Sequence, residues 1–564
     1  MPSLNIPIEI QNRTGLTRLK GGRVYDPQHG IDGEVRDIYF CDGVIVSPPN
    51  ATTPIAYEID VTGLVVMAGA IDIHSHIAGG NVNTARLITP DLRGQHMFNT
   101  PMPSVGKWST RDTGRRYAQM GYTTVIEPAV LPSNALHAHL EMADIPIIDT
   151  AGLAVLGSDD FLLRLLRNKR GQSAVDDYVA WTLNATRCLG LKVINAGGAS
   201  AFKFNARSLQ LDEEVPFYGV SSRAILNALQ QAVCRLGVPH PLHVHCNNLG
   251  LPGNVKTTLD TIKAADGLPM HLTHIQFNSY GDEGSRGLCS GAARIAEAIN
   301  TNPHITADVG QVLFGQTVTI SGDVMRQFNA RNMASPKKWV ITDLEGEGGG
   351  GILPYHYKPT SFVNTLQWAI GLELFLLIDD PWRIFFTTDS PNGAPFTRYP
   401  ELIRLLMDAD YRNAILGTLN AEAADMTLLK DIKREYSLYE LAITTRAAPA
   451  RLLGLPDRGH LGVGAVADIA VYTPNDDYAA MFSRASWLFK NGMAVVKNGE
   501  VLAEPTGQML SLSAITSGGI ENELQAYFDQ FFTIKLNNMK VNATILGTDA
   551  RPRGEKIYET RAPA

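Results

Sequence analysis

Short apolar runs alternate with amphipathic stretches through most of the chain. This alternation is typical of βα units arranged around a parallel sheet. The apolar runs that predict strands are LVVMAGAID, YTTVIEPAV, IPIIDTAGL, GLKVIN, PLHVHCN, MHLTHIQF, HITADVGQV and WRIFFTTDS. Eight strands close a TIM-type (β/α)8 barrel, which is the predicted α/β fold, although a doubly wound open sheet would produce a similar alternation.

The two ends of the chain have a different pattern, in which short β-type runs are separated by turn residues. Near the start these runs are LTRLKGGRVYDPQHG and IYFCDGVIV, where Asp-Pro and Asp-Gly mark turns. Near the end they are GHLGVGAVADIAVYTPN and WLFKNGMAVVKNGEVL. We therefore predict one small β domain from residues 1–65 and 456–509, a barrel over 66–455, and a C-terminal extension over 510–564 with a helix at IENELQAYFDQFF.

Composition and charge argue against several classes of function. With 45% hydrophobic and 19% charged residues the chain is typical of a soluble globular enzyme, and its net charge of -7 argues against nucleic acid as a partner. The most apolar helical stretch, Ser361 to Ile378, contains Asn364, Gln367 and Glu373, which favours a packed helix over a membrane span. Five scattered cysteines without a C-x-x-C motif, and a start that lacks a secretory signal, predict a cytoplasmic location.

Residues that can bind a metal collect where the predicted strands end. In a βα barrel the active site lies at the C-terminal ends of the strands. The residues found there, from strands one, four, five, six and eight, are His74, His76, Lys192, His245, His274 and Asp389. Because side chains alternate along a strand, His74 and His76 share a face and can reach one metal together. Imidazole and carboxylate are ligands that zinc uses in catalytic sites.

Each of these residues also has an ordinary structural interpretation, as a hydrogen-bonded core or surface side chain. The pair His243 and His245 again places two imidazoles on one face, and we favour His245 as the ligand because it is nearer the end of its strand. His271 is predicted to be structural, because it lies earlier in its strand and, by alternation, on the opposite face from His274. The order of ligand types over successive strands favours a metal site over chance.

These residues resemble the amidohydrolase superfamily, in which His-x-His follows strand one, a lysine lies on strand four, histidines follow strands five and six, and an aspartate follows strand eight. More narrowly, the segments DIHSHIAGGNVN, GLKVINAGG, HVHCNNLGLPGN, LTHIQFNSYG and TTDSPNGAPF resemble the A subunits of formylmethanofuran dehydrogenase and of the bacterial formyltransferase/hydrolase complex. The resemblance spans essentially the whole chain. It departs from the usual superfamily pattern at Ala68, where a proline often precedes the glycine.

The resemblance implies a centre of two Zn²⁺ ions bridged by N6-carboxylated Lys192. A buried lysine near cations loses its proton readily, and its neutral amine can add carbon dioxide. Lys203, in SAFKFN, is the competing candidate for the bridge, although it lies beyond the NAGG turn. In the implied mechanism Asp389 takes a proton from the water that the metals activate and passes it to the leaving amine.

The implied reaction is hydrolysis of the N-formyl amide of formylmethanofuran, or of its bacterial methylofuran analogue, to formate and the free amine, within a multi-subunit complex. The archaeal complexes imply the same reaction in the direction of condensation. Polar residues that could contact the furan carrier are Asn81, Asn83, Asn247, Asn248, Gln276 and Asn392. The alternative for the asparagines is that they cap turns. Alternatives for the whole chain are a dihydropyrimidinase-like cyclic-amide hydrolase and a scaffold subunit without catalysis.

Overall fold

The computed structural model describes residues 15–88, 109–203, 208–284, 286–321, 342–344, 350–516, 518–542, 546 and 554–560. Among the residues described, no helix is both long enough and apolar enough to span a membrane. The two large elements of the fold are a parallel sheet, which contains the predicted site, and a mainly antiparallel sheet built from both ends of the chain.

Eight parallel strands form the central sheet, and each pairs with the next one along the chain. Their bounds are Ala70–Asp72, Tyr122–Val130, Asp149–Leu156, Gly190–Ile194, Leu242–His245, Met270–Leu272, Ile305–Asp308 and Ile384–Phe385. A parallel bridge between Ser75 and Ser390 joins the first strand to the eighth, and the backbone N–H of His76 donates to the Ser390 carbonyl at 2.8 Å. All eight predicted strands are therefore present, and the predicted barrel is confirmed.

Helices connect successive strands and cover the outside of the sheet. The main ones are Gly80–Ile88, Thr110–Gln119, Ala135–Ala143, Asp160–Arg167, Gln172–Thr186, Gly198–Lys203, Ser222–Arg235, Val255–Ala264, Ala292–Thr301, Phe362–Leu377, Tyr399–Met407, Ala409–Leu416, Ala421–Asp425, Leu438–Ala442 and Ala448–Leu453. Several begin at a side-chain cap; Asp159, for example, accepts a hydrogen bond from the Leu162 N–H at 2.9 Å.

The apolar helix Phe362–Leu377 is packed inside the protein, as its polar residues predicted. Glu373 is fully buried, and its carboxylate accepts hydrogen bonds from the Ser290 hydroxyl at 2.5 Å and the Leu428 N–H at 2.6 Å. Gln367 donates to the hydroxyl of Tyr280 at 2.8 Å. Because each polar group has a partner within the protein, the helix can be buried on all sides without a large desolvation cost.

The small β domain is a nine-stranded sheet that combines both ends of the chain, as predicted. Its strands are Thr17–Asp26, Ile31–Cys41, Val44–Val46, Tyr57–Asp60, Val65–Ala68, Ile469–Tyr472, Trp487–Lys490, Met493–Lys497 and Glu500–Val501. Val65–Ala68 pairs antiparallel with Ile469–Tyr472, and the chain continues from it, after one residue, into the first barrel strand. The small domain therefore determines where the strand that leads to His74 and His76 begins.

The C-terminal extension contains the predicted helix, observed at Gly519–Phe531. It also contains an element that the sequence pattern did not predict. Strand Met509–Ser513 runs parallel to Glu555–Glu559 and touches the third barrel strand, where Met509 pairs with Thr150. The extension thus continues the barrel sheet on its outer side.

Candidate metal centre

The loop after the first barrel strand carries His74 and His76 into the barrel. Asp72 holds this loop, because its carboxylate accepts a hydrogen bond from the His74 N–H at 3.0 Å. From the eighth strand, the hydroxyl of Thr387 donates to the His74 carbonyl at 2.7 Å. His74 is completely buried and the His76 side chain is 10% exposed. The loop with the two imidazoles is therefore held by residues of the first strand and by residues that follow the eighth strand, where the barrel closes.

Four of the six predicted ligands converge on one point. His74 Nε2 lies 3.0 Å from Asp389 Oδ1, and His76 Nε2 lies 3.4 Å from the same oxygen. Lys192 Nζ, from the fourth strand, lies 3.4 Å from His74 Nε2. Although two imidazole nitrogens lie close to it, the buried Asp389 Oδ1 accepts no well-directed hydrogen bond from the residues that the structure describes. This is the geometry of lone pairs that face a common cation.

His245 and His274 form the other part of the site. Their ring centroids are 4.5 Å apart, and the His274 ring lies 5.4 Å from the His74 ring. His274 Nδ1 is buried and has no hydrogen-bond partner within the described part of the chain. A buried nitrogen without a partner is costly unless something binds it, so this atom is a second sign that the site takes a cation.

The position of His271 differs from the sequence expectation. The sixth strand ends at Leu272, and His274 has a left-handed backbone with φ of 35°. This conformation ends the alternation and turns the His274 ring back toward the barrel interior. His271 also faces the interior, where its ring lies 4.7 Å from that of His243. The two histidines therefore do not lie on opposite faces, because the alternation rule applies only within a strand.

The buried histidines and aspartates present could hold a metal ion. Among the described residues, two groups have ligand atoms within 4.8 Å of one another: the first is His74, His76 and Asp389, and the second is His74, His243 and Asp308. The groups share His74 but use its opposite nitrogens, Nε2 in the first and Nδ1 in the second. Only the first group includes Asp389 Oδ1, which accepts no well-directed hydrogen bond from the residues that the structure describes, so it is the better cation site.

Burial and nearby charges change the protonation of three residues in the site. Burial lowers the pKa of Lys192 to about 8, although neighbouring carboxylates oppose the shift. Burial would raise the pKa of Asp389, but His74 and His274 outweigh it and hold that pKa well below its usual value. Burial would lower the pKa of His76, yet the carboxylates of Glu127 and Asp389 raise it to about 9. Because a metal ligand must be deprotonated, metal binding at His76 has to release a proton.

Glu127, on the second barrel strand, is a functional residue that the sequence reasoning missed. Its carboxylate lies 3.0 Å from His76 Nδ1 and also accepts hydrogen bonds from the N–H groups of Ile77, Ala78 and Ala129. A carboxylate on the far nitrogen orients an imidazole and leaves Nε2 for a metal. The signal was available, because a glutamate inside the buried run TTVIEPAV needs a partner in the interior.

Asp308, on the seventh strand, was missed in the same way. It is completely buried, and its carboxylate receives the His274 N–H at 2.7 Å and lies 3.0 Å from His271 Nε2. Burial would raise its pKa, but His74 and His271 outweigh this and lower it. Asp308 therefore remains ionised and holds the turn that places His274.

The predicted carrier contacts are Asn81, Asn83, Asn247, Asn248, Gln276 and Asn392. The side chain of Asn247 donates to the Ser222 hydroxyl at 2.9 Å, and that of Asn248 donates to Thr257 at 3.0 Å. Asn81 lies partly exposed on the first helix after strand one. These internal hydrogen bonds indicate that Asn247 and Asn248 stabilise the turns in which they lie.

Two more of these asparagines are also bonded within the protein. Asn83 donates to Glu141, and Asn392 accepts from the Ile320 N–H at 2.5 Å. Gln276 is fully buried in a short helical turn after the sixth strand. Contact of the six residues with a carrier stays a prediction, and the structure favours turn-holding roles for four of the asparagines.

A small pocket of about 40 Å³, partly open to solvent, includes His76 in its wall. Its other lining side chains are mainly apolar, among them Val82, Val318 and Phe396. An apolar slot that ends in a few polar groups is the usual form of a small-molecule site. Arg86 and Ser390 also line the pocket, so the space beside the candidate metal centre combines an apolar wall with polar and cationic groups.

Comparison with known proteins agrees with the fold. Residues 57–503 match the amidohydrolase family, and the chain belongs to this family. Within it, the chain is 50% identical over 536 residues to the A subunit of the formyltransferase/hydrolase complex Fhc from Methylorubrum extorquens, and the match covers 93% of this chain and 96% of the relative. It is also 38% identical over 552 residues to the protein FwdA of Methanocaldococcus jannaschii, and this match covers 93% of this chain and 96% of the relative.

A solved structure gives the same result. The crystal structure of the formyltransferase/hydrolase complex FhcABCD from Methylorubrum extorquens, in complex with methylofuran, contains a chain that superposes with a TM-score of 0.91 at 49% identity. The match covers 97% of this chain and 100% of that one. The similarity therefore includes the barrel, the small β domain and the C-terminal extension.

Proposed function

We propose that this chain is the zinc-dependent hydrolase subunit of a C1-transfer complex. Its substrate is the N-formyl amide of formylmethanofuran or of a methylofuran-type analogue, and its products are formate and the free carrier amine. The observation that carries the proposal is the convergence of His74 Nε2 and His76 Nε2 on Asp389 Oδ1, with Lys192 Nζ 3.4 Å from His74 Nε2. The similarity along the whole chain to the A subunit of Fhc supports the choice of substrate.

Two Zn²⁺ ions fit this donor set. The residues that would hold them are His74, His76, Lys192, His245, His274 and Asp389. When bound, the ions polarise a carbonyl group and lower the pKa of water toward about 7. Glu127 supports this arrangement, because its contact with His76 Nδ1 leaves Nε2 as the donor atom.

Lys192 is the proposed carboxylated residue. Its lowered pKa provides neutral amine near neutral pH, and the amine nitrogen can then attack carbon dioxide and lose a proton to form a carbamate. Its nitrogen also lies beside a histidine ligand. Lys203 instead ends the helix Gly198–Lys203, which follows the fourth strand after a turn.

Asp389 is the proposed proton carrier. It is ionised at neutral pH, because its pKa is held well below the usual value. It can therefore take a proton from the attacking water and deliver it to the amide nitrogen, which leaves poorly without protonation. General acid–base help of this kind contributes about 10²–10⁴ in rate.

The substrate proposal also agrees with the pocket beside His76. Its apolar side chains, among them Val82, Val318 and Phe396, offer a surface against which a flat furan ring can pack. We propose that the other subunits of the complex supply the formyl carrier, and that the chain works in the cytoplasm. The direction of the physiological reaction, hydrolysis or formylation, depends on which of these partners is active.

Formate release by the complex tests the proposal. The intact complex is given an N-formyl aminomethylfuran carrier, and formate is measured with zinc present and after removal of zinc by a chelator. We expect zinc-dependent release that Lys192→Ala abolishes and Lys203→Ala retains. Release that survives Lys192→Ala would move the bridging role to Lys203. No release by a zinc-loaded complex would refute the formyl substrate, and hydrolysis of dihydrouracil would then support the cyclic-amide alternative.

A further inference from the structure

A layer of polar side chains lies inside the barrel, where branched apolar residues usually pack. His243 is in register with Lys192 on the fourth strand and with His271 on the sixth, and His271 is in register with Thr306 on the seventh. His243 and His271 are completely buried. Polar groups at such positions are expensive to bury, so their mutual contacts need an explanation beyond packing.

The contacts of this layer converge on the nitrogen of His74 that faces away from Asp389. His74 Nδ1 lies 2.5 Å from the Thr273 hydroxyl, 3.0 Å from His243 Nε2 and 3.4 Å from Asp308 Oδ2. The Asp308 oxygen is already shared with His271, whose Nε2 lies 3.0 Å away. His243 Nε2 is therefore a closer partner for His74 Nδ1 than the Asp308 carboxylate is.

A second contact bears on which ring nitrogen of His243 carries the proton. Its other nitrogen, Nδ1, lies 3.1 Å from His240 Nε2, which is also completely buried. Both rings pack against other imidazoles, and two facing imidazole nitrogens form a hydrogen bond when one carries the proton and the other accepts it. A neutral imidazole carries one proton, so it donates through one nitrogen and accepts through the other. If His243 donates to His240 through Nδ1, its Nε2 is an acceptor for His74.

We propose that His243 is a positioning residue that accepts the Nδ1 proton of His74, and thereby keeps Nε2 of His74 as the atom that binds the metal. His74 and His76 would then be oriented by different means, His74 by a neutral imidazole and His76 by the carboxylate of Glu127. The inference rests on the proposed zinc centre. Loss of such a supporting contact typically lowers metal affinity by about 10–100-fold.

Three variants of the intact chain test this role through zinc affinity, measured by competition with a chelator on folded protein. His243→Phe keeps a ring in the core but removes the acceptor, whereas His243→Gln restores an amide oxygen that can accept from His74. His139→Phe is the matched control, because His139 is equally buried but bonds the Thr186 carbonyl on the outer helices. Thermal unfolding of the metal-free variants shows separately whether each substitution disturbs the packing of the core.

We expect zinc affinity to fall about 10–100-fold in His243→Phe, to recover in His243→Gln and to be unchanged in His139→Phe. Unchanged zinc affinity in folded His243→Phe would refute the positioning role and leave the proposed function intact. An equal loss in His243→Gln would also refute it, because the defect would then come from packing. A wild-type chain that binds no zinc would refute the proposed function, and this inference with it.

Discussion

Carboxylation of Lys192 should depend on the fraction of its amine that is neutral. The burial of the side chain sets that fraction, because burial lowers the pKa of the amine. The side chain is buried, and its pKa is about 8 in place of the usual 10.5. At pH 7 the amine is then about 10% neutral, compared with about 0.03% for an ordinary lysine, a gain of about 300-fold. Because only the neutral amine adds carbon dioxide, the initial rate of carbamate formation should fall about tenfold from pH 7 to pH 6 and level off above about pH 9.

The assay follows both the carbamate and the metal. Metal-free protein is incubated with ¹³C-labelled carbon dioxide at equal dissolved concentration over this pH range, with and without zinc. The carbamate is detected by ¹³C NMR, and bound zinc is measured by elemental analysis. Lys192→Ala should lose the label and most of the zinc, whereas Lys203→Ala should keep both.

Three results would refute this reasoning. Label that persists in Lys192→Ala and disappears in Lys203→Ala would place the carbamate on the other lysine. Uptake that rises only near pH 10 would show that burial does not lower the pKa of Lys192. Full zinc binding in the absence of carbon dioxide would show that the centre forms without a carbamate.

Other predictions concern residues around the centre and at the domain junction. Asp389→Asn should lower the rate of formate release by about 10²–10⁴-fold, and an unchanged rate would exclude Asp389 as proton carrier. Glu127→Gln should weaken zinc binding by about 10–100-fold in chelator competition, because His76 loses its carboxylate partner. Lys490→Ala leaves Asp149 without one of its buried cations and should destabilise the chain by about 3–5 kcal/mol in urea unfolding. Burial would raise the pKa of Asp149, but its cationic partners hold it at about 2, so its contribution to stability should be lost as pH falls from about 4 to 2, which acid unfolding can measure.

The strands and the two-part β domain could be predicted from the sequence, because they depend on local hydrophobic pattern. A run such as GLKVIN has an outward face that must be covered by helices and an inward face that must be filled. The continuation of the barrel sheet by Met509–Ser513 could not be predicted in this way. That strand pairs with residues far away in the chain, and its own pattern does not specify which edge or strand it meets.

The sequence could indicate which candidate ligands lie together, but not where the neighbouring histidines point. His74, His76 and Lys192 follow from strand ends, where a barrel places its active site. The relation of His271 to His274 depends on a left-handed residue after the strand end, which alternation does not reveal. The same limit applies to Asn247, because a hydrogen bond to Ser222 depends on how two loops pack.

The sequence by itself thus determined the order of strands and the types of metal-binding residue at their ends, since both are carried by short segments. Only the tertiary structure decided which nitrogen of each imidazole faces the centre, and which buried groups support it. His74 and His243 are 169 residues apart in the chain, yet their ring nitrogens lie 3.0 Å apart. The orientation and the pKa of a buried imidazole depend on side chains that are distant in sequence but adjacent in the fold. Burial makes these partners decisive, because no water can replace them.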